Sequence, residues 1–403
     1  MSERRGFRLL WSSTAASNLA DGMVLVLLPL LALEGGATAA EVAILAVALT
    51  LAWPLLGLHA GWIVDRFPKR VVLAAGDLAR ALAIGGVALW AALGIPPLGA
   101  LVVAAAVYGV GETLVDTGIN AAVPALVEPA RRTRAISSIE AAITVTNSLA
   151  GRPLAGALVG LGFGLALGSV FLLYATAAVL AGAILALRAR ALPAVDDGAP
   201  RVRLRDGIAA LWRHPVLRSL TILTCVANLV WAMFEALFVV HAVAPGPLGL
   251  TPAQYGLVLS AGALGGIAAS AVMPAVLRRV PATVPLAIDM VGTILLVLPV
   301  ALDAPLWVVV PGIVVAAAGS TAWRIITAAY RQQELPEHLL GRAYSAHRVI
   351  SWGSLPVGAA IASGIAAAGD VRTVFGVATG IAVLTALLFG ALLVRRPVRL
   401  VAS

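Results

Sequence analysis

The sequence predicts an all-α membrane protein of twelve transmembrane helices in two pseudo-symmetric six-helix bundles. Three observations predict it. Of 403 residues, 61% are hydrophobic and only 12% are charged, whereas a soluble domain is about one quarter charged. The hydrophobic residues gather into twelve apolar segments. The polar connections between those segments alternate in charge.

A membrane-spanning helix needs roughly 20 apolar residues, so twelve spans take roughly 240, close to the whole hydrophobic content. A soluble protein of this composition would expose large apolar areas and aggregate. The segments fall at about 9–33, 41–62, 70–93, 98–123, 136–161, 164–188, 216–241, 252–276, 283–302, 305–329, 344–367 and 372–395. Ala and Gly are frequent in them, which suits close helix packing in lipid. The first run is too long for a cleaved leader and contains Asn18 and Asp21, so it is expected to remain as a span.

One set of connections carries Arg4, Arg5 and Arg8; Arg66, Lys69 and Arg70; Arg131, Arg132 and Arg134; Arg188 through Arg218; Arg278 and Arg279; Arg331 and Arg342; and Arg395, Arg396 and Arg399. The opposite set holds Glu34, Glu41, Asp303 and Asp370, with Arg372 its only basic residue. The positive-inside rule then puts both termini in the cytoplasm, which requires an even number of spans. The stretch from Arg188 to Leu217 holds prolines, Asp196, Asp197 and spaced arginines. It reads as a cytoplasmic linker, with a short amphipathic helix over 205–217. The expected domains are 1–190, a linker at 191–215, and 216–403.

Other classes are excluded by what the chain contains. The net charge of +9 is scattered in small groups rather than forming a nucleic-acid patch. The single lysine, Lys69, lies between Pro68 and Arg70, so no Walker phosphate loop exists. A lone Cys225 and five scattered histidines give no disulfide and no metal site. No His-Glu-x-x-His or Gly-x-Ser-x-Gly is present, and neither an enzyme nor a cofactor is expected.

The halves repeat at an offset near 210. A shift of 210 pairs Arg8, Thr14, Asn18, Leu19, Met23 and Leu27 with Arg218, Thr224, Asn228, Leu229, Met233 and Leu237. A shift of 212 pairs Arg66, Val72, Ala75 and Asp77 with Arg278, Val284, Ala287 and Asp289. A shift of 208 pairs Gly111-x-Thr113 with Gly319-x-Thr321, and Arg134-Ala135-x-Ser137 with Arg342-Ala343-x-Ser345. Repeated halves are a transporter architecture, with substrate bound near the membrane midplane and access alternating between sides.

The connection between spans 2 and 3 reads Gly61-Trp62-Ile63-Val64-Asp65-Arg66-Phe67-Pro68-Lys69-Arg70. It resembles the signature loop of the major facilitator superfamily, Gly-x-Leu-x-Asp-Arg-x-Gly-Arg-Arg, with Phe67-Pro68 in place of x-Gly. Ser17 to Gly22 in span 1 and Gly111 to Thr117 in span 4 resemble its bacterial drug-, macrolide- and siderophore-exporter branch. Gly151-Arg152-Pro153-Leu154-Ala155-Gly156 in span 5 is similar to the Gly-Pro-x-x-Gly-Gly motif of proton-linked exporters, with Arg152 and Ala155 as departures. The resemblance implies the major facilitator fold. It also implies a cytoplasmic gate built on Gly61, Asp65, Arg66, Lys69 and Arg70, to which Asp116 and Arg324 would add. Gly61 would admit another helix closely, and Gly151, Pro153 and Gly156 would bend span 5.

Intramembrane ionisable groups cost several kcal/mol and each needs a reason. In the resembled family, spans 1, 4, 7 and 10 line the cavity, which singles out Glu112, Asp21 and Glu235 as proton-coupling candidates, Glu112 first by its depth. Asn18, Asn228 and Trp231 are candidates to line the substrate cavity. Arg152 pairs with one of the acids or reads an anionic group. Asp77 and Asp289, near helix ends, are expected to be structural hydrogen-bonding groups. The expected function is proton-coupled export of amphipathic small molecules such as drugs, antibiotics or secondary metabolites. The alternatives are a dedicated siderophore or lipid-like metabolite exporter and, more distantly, a non-transporting receptor. The expected partners are the small-molecule substrate, protons and membrane lipid, with the chain acting as a monomer.

Overall fold

The computed structural model describes residues 3–184 and 204–394. Most of the expected linker and the arginines at 395, 396 and 399 lie outside the described residues. The first six spans are α1 (Glu3–Glu34), α2 (Ala39–Thr50 continuing as Ala52–Arg66), α3 (Lys69–Leu93), α4 (Leu98–Leu126), α5 (Arg132–Ile143, Thr144–Gly151 and Arg152–Val159) and α6 (Phe163–Gly182). The second six are α7 (Pro215–Ala242), α8 (Pro252–Leu277), α9 (Thr283–Ala301), α10 (Leu306–Glu334), α11 (Glu337–Ala368) and α12 (Val371–Phe389, extended by Gly390–Val394).

Among the described residues, eleven helices are long and apolar enough to cross a membrane. The remaining span is α5, whose helical run is interrupted by a π-helical stretch over Thr144–Gly151. Pro153 follows it at the start of the last segment. A proline withholds the N–H that an α-turn needs, and a wider turn takes up the mismatch. The same stretch lies hard against α1. A Cβ on Gly22 would overlap the Asn147 carbonyl oxygen, and one on Gly151 would stand 2.8 Å from the Leu19 oxygen.

The chain divides into two compact units, Met1–Ala199 with Leu250–Ser260, and Pro200–Gly249 with Ala261–Ser403. In the first unit, α3 packs on α4 and α6, and α1 packs on α6 and on the π stretch of α5. Its core includes Leu10, Leu73, Val115, Ile119, Val123 and Ile139. The opening turns of α8 belong to this unit. There Gly156 faces the Pro252 carbonyl, Gly256 faces the Arg152 carbonyl, and the Ser260 hydroxyl donates to the Ser148 carbonyl at 2.8 Å.

In the second unit, α9 packs on α10 and α12, and α7 packs on α11 and α12. Leu217, Leu220, Leu286, Trp323, Ile326 and Phe389 lie in its core. The amphipathic helix expected at 205–217 is observed at Leu204–Arg213 and stops before Pro215, where α7 begins. It is docked on its own unit. Leu211 is buried, Gly207 abuts the Arg342 backbone of α11, and Asp206 pairs with Arg342 at 3.8 Å.

Helix starts carry further repeat features. Thr38 and Glu41 form a capping box at α2, and Thr251 and Gln254 exchange the same bonds at α8. At α12, Asp370 caps the helix by accepting from the Thr373 N–H and hydroxyl, bonds that hold its carboxyl below the ordinary carboxylate range.

A buried ionisable network as the candidate functional site

The first unit concentrates its charged groups at one level, between α1, α3, α4 and α6. Arg80 is the organiser. It lies on α3, three residues after Asp77 and therefore on the same helix face, and it is 1% exposed. Its stem is admitted by Gly111 of α4, where a Cβ would stand 2.8 Å from Arg80 Cγ. Arg80 Nη1 donates to Asp21 Oδ1 at 2.6 Å. Its Nη2 donates to Asp77 Oδ1 at 2.5 Å and to the Ser17 hydroxyl at 2.8 Å. The Tyr174 hydroxyl on α6 donates to Asp21 Oδ1 at 2.6 Å, and the guanidinium carbon sits 4.7 Å from the Tyr174 ring centroid.

Glu112 adjoins this set on α4, where it accepts a hydrogen bond from the Trp53 indole of α2 at 2.5 Å. It is half-buried and lies within electrostatic range of Asp21, Asp116 and Arg80. Tyr108, one turn before Glu112, feels Asp21, Glu112, Arg80 and Arg152. Asp21, Asp77, Glu112, Asp116 and Arg80 therefore share one region of a single unit, with Arg152 in electrostatic range of Tyr108.

The structure sorts the sequence-predicted residues. It brings Asp21, Glu112 and Asp116 together. Glu235 lies on α7 of the other unit and is exposed. The Asn18 amide donates to the Thr14 carbonyl of its own helix at 3.0 Å, and the Asn228 amide donates to the Ser351 carbonyl of α11 at 2.7 Å. Trp231 meets Phe234 edge-on at 6.3 Å, the start of an aromatic run through Phe238 and Phe375. Arg152 is half-buried where the π stretch ends.

The expected gate residues have the following surroundings within their own units. Among the described residues, nothing outside its own helix turn lies within 4 Å of a Cβ position on Gly61. Arg66 lies over the Trp62 ring at 5.5 Å, and Arg70 donates to the Gly182 carbonyl at the end of α6 at 3.5 Å. The nearby arginines thus serve partners other than Asp65, which is exposed in the last turn of α2. Lys69 opens α3 and is half-buried, and Arg324 is exposed on α10.

Asp77 is a member of the charged network rather than a plain hydrogen-bonding residue near a helix end. Its repeat mate Asp289 differs again. It is 3% exposed, packs against Gly319 of α10, and its Oδ1 has no hydrogen-bond partner. At the shift that pairs the aspartates, Arg80 corresponds to Gly292, so that arginine has no counterpart at the matching position of the second unit. Asp289→Asn is therefore expected to leave the melting temperature unchanged or raised, because it removes an uncompensated buried acid. A loss beyond about 2 kcal/mol, the order expected for losing a charged hydrogen bond, would show that Asp289 serves an ionic partner.

Sequence reasoning missed Arg80, Tyr174 and Trp53. Arg80 carried a readable signal: an arginine inside an apolar span, three residues after an aspartate. Tyr174 and Trp53 carried none, because their roles depend on helices far apart in sequence meeting at one level.

The Major Facilitator Superfamily profile matches residues 10–355. The chain belongs to the Major Facilitator Superfamily. As a member of that superfamily it is a multi-pass membrane transporter and not an enzyme. It is 27% identical over 374 residues to the multidrug efflux pump Tap of Mycolicibacterium fortuitum, covering 88% of each chain. Its fold is similar to that of a bacterial homologue of the iron transporter ferroportin in an inward-facing state, with TM-score 0.74, 18% identity and coverage of 96% of this chain and 98% of that one. It is also similar to the nucleoside transporter NupG, with TM-score 0.73, 14% identity and coverage of 97% and 98%. Such distant structural likeness speaks for the superfamily's fold alone.

Proposed function

We propose that this chain is a proton-coupled exporter of amphipathic small molecules, working by alternating access in the bacterial cytoplasmic membrane with both termini inside. The observation that carries the coupling is the enclosure of Asp21, Asp77 and Glu112 in the first unit, where Arg80 is bonded to the first two and Glu112 is held by the Trp53 indole. Water is excluded from much of this region, so an unbalanced carboxylate charge is expensive. A proton balances it, and so does a cationic or polar substrate, which gives two ligands that compete for one charge. Competition of that kind is antiport. The sequence similarity to a multidrug efflux pump supports export as the direction.

Glu112 is the exchanging group in this reading. Its carboxylate is held by one neutral donor, the Trp53 indole, rather than by a buried guanidinium as Asp21 is. A carboxyl held that way changes protonation without breaking an ion pair. Asp21 supplies the fixed charge beside it.

The test uses inside-out vesicles with an acid interior and a pH-reporting dye. Cationic, neutral and anionic compounds are added to vesicles carrying native protein or Glu112→Gln. Native protein is expected to release protons on addition of at least one amphipathic compound, and the variant to lose at least nine-tenths of that rate. Full release by Glu112→Gln would remove Glu112 from the coupling site. Response to anionic compounds alone would favour a dedicated exporter of siderophore-like substrates.

A further inference from the structure

Asp77 is the most enclosed acid of the network, with a side chain 1% exposed beside Arg80. Its two oxygens are served unequally. Oδ1 accepts from Arg80 and from the Ser17 hydroxyl, the latter at 2.9 Å, whereas Oδ2 is buried and has no hydrogen-bond partner. Asp21 is served differently. It takes the other arm of the same guanidinium and the Tyr174 hydroxyl, both on one oxygen.

The charge count follows from these contacts. One guanidinium faces two carboxylates at hydrogen-bond distance, and the remaining close donors, Ser17 and Tyr174, are neutral. The other ionisable groups around the set are Tyr108, Glu112 and Asp116 of α4, together with Arg152 of α5, whose charge is felt at Tyr108, whereas Arg80 is the cation in contact with the two aspartates. With both aspartates ionised, the set would hold an uncompensated negative charge at a buried position, and the bare Asp77 oxygen would be its worst-solvated atom. One proton makes the set neutral.

We propose that Asp77 is a proton-binding site of this transporter, carrying the proton that balances Asp21, Arg80 and Asp77. Loss of that proton makes Asp77 a full competitor for Arg80 and loosens the guanidinium from Asp21. Asp77 is then a second proton site, seated behind Asp21, through which the protonation of α3 governs the charge that α1 presents to Glu112. The inference rests on the proton-coupled reading above for its role in transport, but the occupancy of the site is measurable without any substrate.

The experiment is infrared spectroscopy of the purified full-length chain in lipid, comparing native protein with Asp77→Asn and Asp21→Asn. The native spectrum is expected to contain a protonated-carboxyl stretch that shifts in deuterated water, vanishes in Asp77→Asn and persists in Asp21→Asn. Ser17→Ala, which removes the hydroxyl donated to the same carboxyl, should move that band upward even if Asp77→Asn does not fold. A band that vanishes in Asp21→Asn and persists in Asp77→Asn would overturn the assignment. A spectrum that neither aspartate variant nor Ser17→Ala alters would overturn the charge count itself. Vesicles that show no proton release while the Asp77 band is present would instead count against the transport reading and leave the site standing.

Discussion

Replacing Arg80 with Gln is expected to destabilise the protein by about 3–5 kcal/mol, the cost of removing one partner from a buried ion pair. The reasoning is one of charge and of water. Arg80 is fully enclosed and bonded to Asp21 and Asp77 at once, so its loss strands the Asp21 charge and leaves both carboxyl groups without their donor where no solvent replaces it. Thermal unfolding in detergent, followed by size-exclusion chromatography, reads the effect. The decisive arm is rescue. Asp21→Asn with Asp77→Asn in the Arg80→Gln background removes every ionisable group of the set and should recover most of the lost stability, since a neutral polar set has no charge to strand. Arg80→Lys should fall between the two, because an ammonium is a compact point charge without the fork that reaches two acceptors. If Arg80→Gln melts with the native protein, the network is not what holds α1, α3 and α6 together.

Gly22→Val carries the other large effect. Gly22 and the Asn147 carbonyl meet where α1 crosses the π stretch of α5, and any side chain there enters backbone rather than a flexible neighbour. Backbone does not swing aside as a side-chain tip does, so the helices must separate, at a cost of about 1–3 kcal/mol for an overpacked contact. Asp21 sits in the adjacent position, and separation of the helices also displaces it from Arg80. The variant should therefore melt early and lose proton-linked transport together. Gly61→Ala is the matched control. It places a methyl in open space within a helix, and no fall in stability is expected. Equal melting of Gly22→Val and Gly61→Ala would refute the close-crossing account.

How far the sequence carried can be argued from these same residues. Twelve spans and two related halves follow from apolar run length and from the ordered matches near offset 210, because membrane insertion depends on properties local in the chain. The π stretch in α5 was foreshadowed only as a bend at Gly151, Pro153 and Gly156. Its winding depends on how close α1 comes, which no local pattern encodes. Asp21 and Glu112 were found by the cost of burying acid. Their partners were not, since the Tyr174 hydroxyl reaches Asp21 across 153 positions of sequence and the Trp53 indole reaches Glu112 across 59. The repeat also misled in one place. It paired Asp77 with Asp289 and invited a shared role, while the residue that decides the role, Arg80 against Gly292, lies three positions further on.

Gly111 and Gly319 occupy matching places in the two halves, and each bares a strip of helix backbone on which a neighbour's side chain rests: the Arg80 stem over one, Asp289 against the other. The receptacle is shared while its content differs in charge sign. The two occupants stand about one helical turn apart in the repeat, since Asp289 corresponds to Asp77 and Arg80 to Gly292, so one kind of bared backbone strip accommodates a cation in one half and an acid in the other.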